Sequence, residues 1–305
     1  PSFYDAVGIN ERLITLALEE GIEPVEAYRM CTLNPACYFG MDHEIGGIAP
    51  GRFADILILR DLYRPLPETV ISKGRIVAEK GRLLSPFPEI PWRSLFSPSH
   101  LEEEGWHAEP DWFAISGKGP GVRVPVIDLV KPVITRTVWM DLPVKAGRVE
   151  LGNRNGLCWI SVLDRHGSWV SNGVLRGFTG SLDGFASSFN TAVQILAMGR
   201  NREALAAAVN RVRRINGGIV AVQDGVVQFE LPLPLGGVMS DQPMKMLAEK
   251  DRELLRFLSS HGYPFHDPLY TLVFLPNDFL PDIRINYQGV VDIKTGEVLW
   301  PRRDL

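Results

Sequence analysis

The chain has 305 residues, 45% of them hydrophobic and 22% charged, which is typical of a folded protein with a sizeable core. Its 36 acidic and 32 basic residues create no strongly positive surface, so neither nucleic acid nor a membrane is expected as a partner. Cys31, Cys37 and Cys158 form no CxxC pair, which favours three buried thiols in a reducing, cytoplasmic compartment.

The first segment is predicted to contain two helices. Apolar residues at helical spacing indicate one helix over residues 5–20 and another over residues 25–33. Asn34-Pro35 is expected to form a turn after the second helix, because the residue before a proline avoids the α region. The predicted inward faces consist of Ile9, Leu13, Leu16 and Ala17 in the first helix, and Val25, Tyr28 and Met30 in the second.

A turn followed by short strands comes next. The string EIGGIAPGRFADILILR at residues 44–60 indicates a Gly/Pro turn that leads into a buried apolar strand, residues 56–59. Further strands are predicted over residues 67–72 and 75–83, with turns at Lys73-Gly74 and Lys80-Gly81. Short strands at this spacing are typical of a small β-sandwich.

Residues 85–110 mix prolines with large aromatic side chains. This composition predicts an extended connecting segment that packs across a surface, and therefore a domain boundary. His100 and His107 lie on either side of three glutamates at residues 102–104, and a solvated face is favoured there over a metal site.

Residues 111–305 are predicted to form a mixed α and β domain. Helices are expected from the cap Asn201 to Ile215 and from about Asp241 to Ser260. Asp224-Gly225 between two apolar segments predicts a hairpin with a type I′ turn. Other strands are expected over residues 122–129, 133–142 and 157–163. Residues 185–198 are expected to form a pair of strands or one bent strand, and residues 269–293 one or two further strands.

Several strings resemble known proteins. The segment GINERLITLALEEGIEPVEAYRMCTLNPACYFGM resembles the last helices of an adenine deaminase barrel, and G-x-I-A-P-G-R-x-A-D-I-x-I-L resembles the segment that follows the catalytic barrel in the amidohydrolase superfamily. Three later strings, GGIVAVQDG, LPLPLGGVMSDQP and DPLYTLVFLPNDFLPDIRINYQGVVDI, resemble the C-terminal domain of adenine deaminases. The resemblance covers nearly the whole chain.

This resemblance implies a multi-domain α/β protein that is the latter part of a longer polypeptide. The implied order is the final helices of a (β/α)8 amidohydrolase barrel at residues 1–42, a β-sandwich segment at 43–84, the connecting segment at 85–110, and a C-terminal α+β domain at 111–305. An upstream barrel domain is the implied partner, and a homo-oligomer is expected.

The implied reaction is the hydrolysis of adenine, or a similar small heterocycle, to hypoxanthine and ammonia. A divalent metal, Mn, Fe or Zn, lowers the pKa of the attacking water in such enzymes. The family's ligands include an H-x-H pair, which none of the six histidines here forms. We therefore expect no metal and no catalytic residue in this chain alone.

Five residues are candidates for contact with substrate in the parent enzyme, because the strings around them resemble those of the family. Arg165 and His166 lie in a D-R-H-G string similar to the family's E/D-R-H turn, although a turn histidine satisfied by a backbone carbonyl is the alternative. Arg176 stands where the family has a basic residue before a glycine. An ion pair within the protein is as compatible with this position as a contact with substrate. Met239-Ser240 follows two glycines and either approaches the barrel mouth or packs in the core.

One departure from the family pattern bears on the substrate. Typical adenine deaminases have an A-H-D-S-H-N string where this chain has ASSFNTAVQ at residues 186–194, without either histidine. If those histidines touch substrate, the chain belongs to a divergent branch. Ser188, Asn190 and Gln194 then offer donors and acceptors to a heterocycle.

Two other functions stay open. The parent enzyme could act on another heterocycle or on a cyclic amide with the same fold. The chain could also be a non-catalytic module that supports a barrel or mediates oligomerisation.

Overall fold

The computed structural model describes residues 8–86, 88–95, 101, 105–152 and 156–305, without the side chain of Arg93. The chain divides into two compact units, Pro1–Ile90 (unit 1) and Pro91–Leu305 (unit 2). In the part of the chain that the structure describes, no helix is long and apolar enough to cross a membrane.

The first elements among the described residues of unit 1 are the helices α1 (Asn10–Glu19), α2 (Pro24–Cys31) and α3 (Leu33–Tyr38). The Glu23 carboxylate caps α2 by accepting from the backbone N–H groups of its first turn. The prediction of a turn at Asn34-Pro35 is wrong, because both residues lie inside α3. Pro35 is tolerated there because the first N–H positions of a helix have no intrahelical acceptor.

The predicted inward faces of the first two helices are largely wrong. Ile14, Pro24 and Ala27 are the buried positions of α1 and α2 in the structure, and Ala17 and Tyr28 are half-buried. Within the described part of unit 1, no other element covers a broad apolar face of these helices. The helical spacing of apolar residues therefore pointed to side chains that lie in solvent. These exposed side chains are Ile9, Leu13, Leu16, Val25 and Met30.

The rest of unit 1 is a four-stranded antiparallel sheet in the order β1-β2-β3-β4. The strands are β1 (Ile56–Leu59), β2 (Pro67–Ser72), β3 (Arg75–Glu79) and β4 (Arg82–Leu83). Positive φ angles at the two predicted Lys-Gly turns confirm their positions. The expectation of a buried first strand is wrong, because Leu57 and Ile58 are 56% and 47% exposed.

Unit 2 is built on a ten-stranded sheet in the order β13-β12-β10-β11-β8-β9-β5-β6-β7, with β17 paired to part of β9. A second sheet, β14-β15-β16, is a three-stranded meander. The strands are β5 (Gly121–Lys131), β6 (Ile134–Lys145), β7 (Arg148–Val149), β8 (Leu157–Leu163), β9 (Trp169–Arg176), β10 (Gly184–Ser187), β11 (Ile195–Gly199), β12 (Gly218–Gln223), β13 (Val226–Pro232), β14 (Ile283–Asn286), β15 (Gly289–Asp292), β16 (Glu297–Pro301) and β17 (Arg303–Asp304).

Helices of unit 2 complete the layers. They are α4 (Trp92–Leu95), α5 (Arg202–Arg214), α6 (Met244–Ser260) and α7 (Pro268–Phe274), with a 3₁₀ turn at Pro110–Phe113. Successive strand residues point to opposite faces of the sheet, so each strand feeds two cores. In β8, Ile160 packs in the cluster formed with α6, α7 and the meander, whereas Trp159 packs in the cluster formed with α5.

The strongest local patterns of unit 2 are confirmed. Asn201 Oδ1 accepts from Ala204 N at 2.9 Å and caps α5, and Asp224 and Gly225 both have positive φ in the β12–β13 turn. Residues 185–198 form a strand pair, β10 and β11. The central strand β9 and the helix α7 are missing from the predicted elements, as are the last two strands.

The cysteines and the connecting segment differ in part from expectation. Cys158 is buried as predicted, but Cys37 is exposed and Cys31 half-buried, so the prediction for those two is wrong. Of the connecting segment, Phe87, residues 96–100 and residues 102–104 lie outside the described residues, so the expected solvated face at His100 and the three glutamates is among the parts not described. Trp106, near its end, is half-buried against Trp112 with ring centroids 5.7 Å apart.

Candidate functional site

Two loops at one end of the large sheet carry several of the residues that the sequence singles out. Residues 164–167 join β8 to β9, and residues 188–194 join β10 to β11. Because β8 and β11 are antiparallel neighbours, these loops meet at the same end of the sheet. The backbone N–H of Arg165 donates to Oε1 of Gln194 at 2.9 Å, so the contact is direct.

The turn at residues 164–167 is held by its surroundings. Asp164 is buried, and its Oδ2 accepts from the backbone N–H and the hydroxyl of Ser168. Trp106 Nε1 donates to the carbonyl of Arg165 at 3.0 Å, and its ring leaves no room for a side chain at Gly167, where φ is +74°. His166 is exposed in this turn.

The loop of residues 188–194 is closed by its own polar groups. Asn190 Nδ2 donates to the carbonyl of Gln194 at 2.8 Å, and Asn190 Oδ1 accepts from Gln194 N at 3.4 Å. Thr191 donates through N and Oγ1 to the carbonyl of Val273 and so ties the loop to α7. The buried amide of Asn190 therefore positions the backbone, while the side chain of Gln194 extends to the Arg165 turn.

Ser188 connects two glycine-containing segments. Its fully buried hydroxyl accepts from Gly218 N at 2.8 Å and donates to the carbonyl of Gly237. A Cβ atom on Gly217 would lie 2.4 Å from Gly237 Cα, so only glycine permits this close approach. The turn that holds Gly237 continues to Met239, 44% exposed, and Ser240, whose Oγ accepts from Gln242 N at 3.1 Å.

Arg176 lies at the opposite end of the sheet from the two loops. It pairs with Leu157 at the far end of β8, a seven-residue strand about 20 Å long at the usual rise. Its Nε donates to Asp128 Oδ1 at 2.6 Å, and Arg136 binds the other carboxylate oxygen at 2.5 Å. The bond from Arg176 lowers the pKa of the Asp128 carboxyl, and Arg136 adds to this effect. The ion pair that the sequence left open is thus present.

A cavity of about 350 Å³ opens beside the two loops. Its volume lies near the lower end of the range for small-molecule sites. The buried Asn277 is fixed at its edge, because Nδ2 donates to Thr191 Oγ1 and Oδ1 accepts from Phe279 N, both at 2.9 Å. The lining comprises Val162, Thr191, Ala192, Gln194, Pro276, Asn277, Asp278, Phe279, Asn286 and Tyr287.

Sequence reasoning found only one polar residue of this cavity, Gln194. Thr191 lies in the same loop as Gln194, and the others lie in the turn after α7 or at the end of β14 and in the turn that follows it, neither of which turns was predicted. The strings Pro276-Asn277-Asp278 and Asn286-Tyr287 are polar turn sequences after apolar segments, which is the pattern that could have indicated them.

The described side chains form no cluster that could hold a metal ion. Across the described ranges, no three His, Cys, Asp or Glu side chains lie close enough together to share an ion. His107 Nε2 lies 3.0 Å from Asn210 Nδ2, and His261 Nδ1 lies 2.9 Å from the carbonyl of Phe257. The residues that the structure describes therefore do not fit the divalent metal that the resemblance implies.

Comparison with known proteins gives consistent matches. The sequence profile of the adenine deaminase C-terminal domain matches residues 132–297, and that of the amidohydrolase family matches residues 4–77. The chain is 35% identical over 302 residues, 99% of its length, to BH0637 of Halalkalibacterium halodurans and to YerA of Bacillus subtilis, which both carry the provisional name adenine deaminase. It is 35% identical over 299 residues, 96% of its length, to the adenine deaminase of Moorella thermoacetica. The chain spans about half the length of these relatives.

Proposed function

The chain belongs to the adenine deaminase C-terminal domain family, and from this membership we propose that it is the C-terminal part of a metal-dependent adenine deaminase-like hydrolase. The proposed reaction converts adenine and water to hypoxanthine and ammonia. The observation that carries the proposal is the profile match over most of unit 2, supported by relatives that are named for this activity.

The proposed division of labour assigns metal ligands and catalysis to an amidohydrolase barrel outside this chain. Two observations support it. The described side chains provide no group of metal ligands, and the amidohydrolase profile covers unit 1, which has helices and a small sheet but no barrel within its described residues. On this proposal α1 to α3 are the last helices of the barrel, and β1 to β4 belong to the sandwich that follows it.

Unit 1 has apolar surface that such a barrel would cover. Tyr38, Phe39 and Ile48 are 84%, 71% and 83% exposed, and further apolar side chains of α1 are also in solvent. Exposed apolar groups on this scale are typical of surfaces that pack against another domain. We assign this surface to the barrel of the same polypeptide, whose family the profile match identifies.

The candidate residues fall into two sets. Ser188, Asn190 and Arg176 are engaged with protein groups, which supports positioning roles for them. His166, Met239 and Ser240 are accessible and stay proposed as substrate-proximal residues, and Arg165 is proposed to hold the turn that presents His166. A homo-oligomer and a cytoplasmic location also stay predictions.

A second candidate function keeps the fold and changes the substrate. The specific observation in its favour is the absence of both histidines of the A-H-D-S-H-N string from residues 186–194. An amidohydrolase that opens a cyclic amide, or deaminates another heterocycle, would need different groups near the substrate.

The test compares two polypeptides. The chain extended upstream through an amidohydrolase barrel is loaded separately with Mn²⁺, Fe²⁺ and Zn²⁺ and assayed for ammonia release from adenine, other purines, pyrimidines and cyclic amides. We expect release from adenine by the extended protein and none by the present chain. Preference for a cyclic amide or another base would favour the second function. Inactivity of the extended protein with every metal and substrate would contradict both functions.

A further inference from the structure

The cavity beside residues 188–194 has an arrangement of donors and acceptors that neither the fold nor the proposed reaction explains. It lies wholly within unit 2, and its lining residues contribute three side-chain amides, one carboxylate and two aromatic rings. None of its lining residues is Lys, Arg or His. An anionic ligand such as a nucleotide phosphate is therefore disfavoured.

All three amide oxygens accept from backbone N–H groups, but among the described residues only the NH₂ group of Asn277 also has a protein acceptor, Thr191 Oγ1. Gln194 Oε1 accepts from Arg165 N, and Asn286 Oδ1 accepts from Gln288 N, both at 2.9 Å. Because the oxygen of each amide already accepts a hydrogen bond, the NH₂ group is the part of the amide that is left to donate to a ligand. Neither NH₂ group has a hydrogen-bond acceptor among the residues that the structure describes.

The burial of Asn286 makes this observation informative. The residue is only 5% exposed, and the small area that stays open includes its NH₂ group, which is therefore accessible to a ligand. Its remaining exposed surface is small, and it lines the cavity. A ligand atom that accepts a hydrogen bond would satisfy it.

The rim supplies the complementary features. Asp278 is exposed, and within the described residues its carboxylate has no salt bridge, so it can accept from a ring N–H or an amino group. Phe279 and Tyr287 are 68% and 53% exposed, and aromatic rings at a cavity rim are suited to contact a flat ring. Phe279 is supported edge to face by Phe274, with centroids 6.3 Å apart.

We propose that this cavity binds a neutral, planar nitrogen heterocycle of the nucleobase class. Its acceptor atoms would receive hydrogen bonds from Gln194 and Asn286, and an N–H group would donate to Asp278. The pocket would bind the heterocycle without converting it, since no catalytic group is involved. The choice of purines as the first ligands to test rests on the proposed function. The arrangement of donors, acceptors and aromatic rings in the cavity does not depend on that function.

Binding is measured with the metal-free chain by isothermal titration calorimetry in the presence of a chelator. Hypoxanthine, adenine and uracil are the nucleobase probes, indole is a flat ring without the acceptor pattern, and AMP adds a phosphate. We expect at least one nucleobase to bind with a dissociation constant of about 10–500 μM, within reach of ligands of this size. Indole and AMP should bind at least about 10-fold more weakly.

Isosteric substitutions test the two amides. Gln194→Glu and Asn286→Asp keep the oxygen that accepts from the backbone but replace the NH₂ donor by an anionic oxygen. Each should weaken nucleobase binding at least about 10-fold, because one hydrogen bond to the ligand is replaced by repulsion between two acceptor oxygen or nitrogen atoms. Gln288→Glu is the matched control, because it adds the same charge two residues from Asn286 at an exposed position outside the lining, and it should leave binding unchanged.

The exposed Asp278 provides a test that does not depend on buried substitutions. Asp278→Asn should weaken binding while circular dichroism and the unfolding temperature stay at wild-type values. Absence of binding by all three nucleobases would overturn the proposal, and so would equal binding of indole. Wild-type affinity in Gln194→Glu and Asn286→Asp would also overturn it. The binding assay uses the metal-free chain and does not require deamination. If the extended protein failed to deaminate adenine, the proposed function would fail but the binding result would still stand.

Discussion

The two units differ sharply in how they bury apolar side chains. Among the described residues of unit 1, Ile14, Pro24, Ala27 and Ala36 are the buried positions, and the strand Ile56–Leu59 has its two middle residues exposed. Unit 2 encloses two large clusters, one on each face of its ten-stranded sheet. Unit 2 therefore has the complete core that an independent domain needs, and unit 1 does not.

The comparison teaches that sequence periodicity reports which face is apolar and not what covers it. Unit 1 has the amphipathic helices and apolar strand of an ordinary domain, yet most of that apolar surface is in solvent. On the proposed function, a barrel provides the missing cover. The stability of the chain by itself should then come almost wholly from unit 2.

The largest expected effect is a difference in thiol reactivity between the units. Cys37 is exposed, whereas burial raises the pKa of the Cys158 thiol to about 12 and shields the sulfur from reagents. Cys158 should react with a thiol reagent only when unit 2 opens, at a rate about 10³–10⁴-fold below that of Cys37. Mass spectrometry of peptides during native labelling measures both rates.

The control for this labelling is the double variant Cys31→Ser/Cys37→Ser, which removes both thiols of unit 1 and should leave only the slow phase of Cys158. Addition of denaturant should bring the rate of Cys158 up to that of a free thiol. Rapid modification of Cys158 under native conditions would mean that the core of unit 2 is not closed, and the contrast between the units would fail.

The next largest effect is expected from truncating a core side chain. Phe185 is fully buried in β10 and packs against Phe178, with ring centroids 5.8 Å apart. Phe185→Ala should lower the free energy of unfolding by about 3–5 kcal/mol, because it removes apolar contacts and leaves a cavity. The matched change in unit 1, Leu57→Ala at a 56% exposed strand position, should cost less than about 0.5 kcal/mol.

Urea unfolding followed by circular dichroism measures both variants against the parent chain. The comparison sharpens further in the protein extended by its barrel, where Leu57→Ala should become more costly if that side chain is covered. A large loss for Leu57→Ala in the present chain would show that unit 1 has a core of its own.

The sequence predicted elements best where one local cause decides them. The Asn201 cap and the Asp224-Gly225 turn each rest on a single side chain or on backbone conformation, so both were predictable. Strand β8 was also predicted with its observed ends, because seven consecutive residues are apolar or small and the sheet buries all of them. Strand β9 escaped because Asn172 and Gly173 interrupt its apolar pattern, and tertiary partners override that weak propensity.

The cavity was far less predictable because its lining comes from segments distant in the chain. Residues near 190, 277 and 286 meet only through the order of strands and the position of α7. The sequence offered Ser188 and Asn190 as donors and acceptors to a heterocycle, but in the structure their polar groups bind backbone groups that no sequence pattern identifies. Local pattern locates polar residues, and tertiary structure decides what they bind.

The smallest expected effect compares an ion pair in each unit. Asp128 in unit 2 is buried between Arg176 and Arg136, whereas Glu68 in unit 1 pairs with Arg60 at the surface. Asp128→Asn should cost about 1–3 kcal/mol, because it leaves two guanidinium groups without their counter-charge. Glu68→Gln should change stability little, since water and salt screen an exposed pair.

Arginine partners lower the pKa of both carboxyls, that of Glu68 through its hydrogen bond with Arg60. The pH dependence should still separate the two pairs, because water and salt screen the exposed pair of Glu68. The hydrogen bond from Arg176 lowers the folded-state pKa of Asp128 below its ordinary value near 4, so its stabilising contribution is present above that value and is lost as the pH falls through the lower folded-state pKa. Urea midpoints measured between about pH 2 and 7 should therefore fall less steeply with acid in Asp128→Asn than in the parent chain, while Glu68→Gln should follow the parent closely. Parallel curves for all three proteins would show that the buried carboxylate is no more coupled to folding than the surface one, and the electrostatic part of the contrast between the units would be lost.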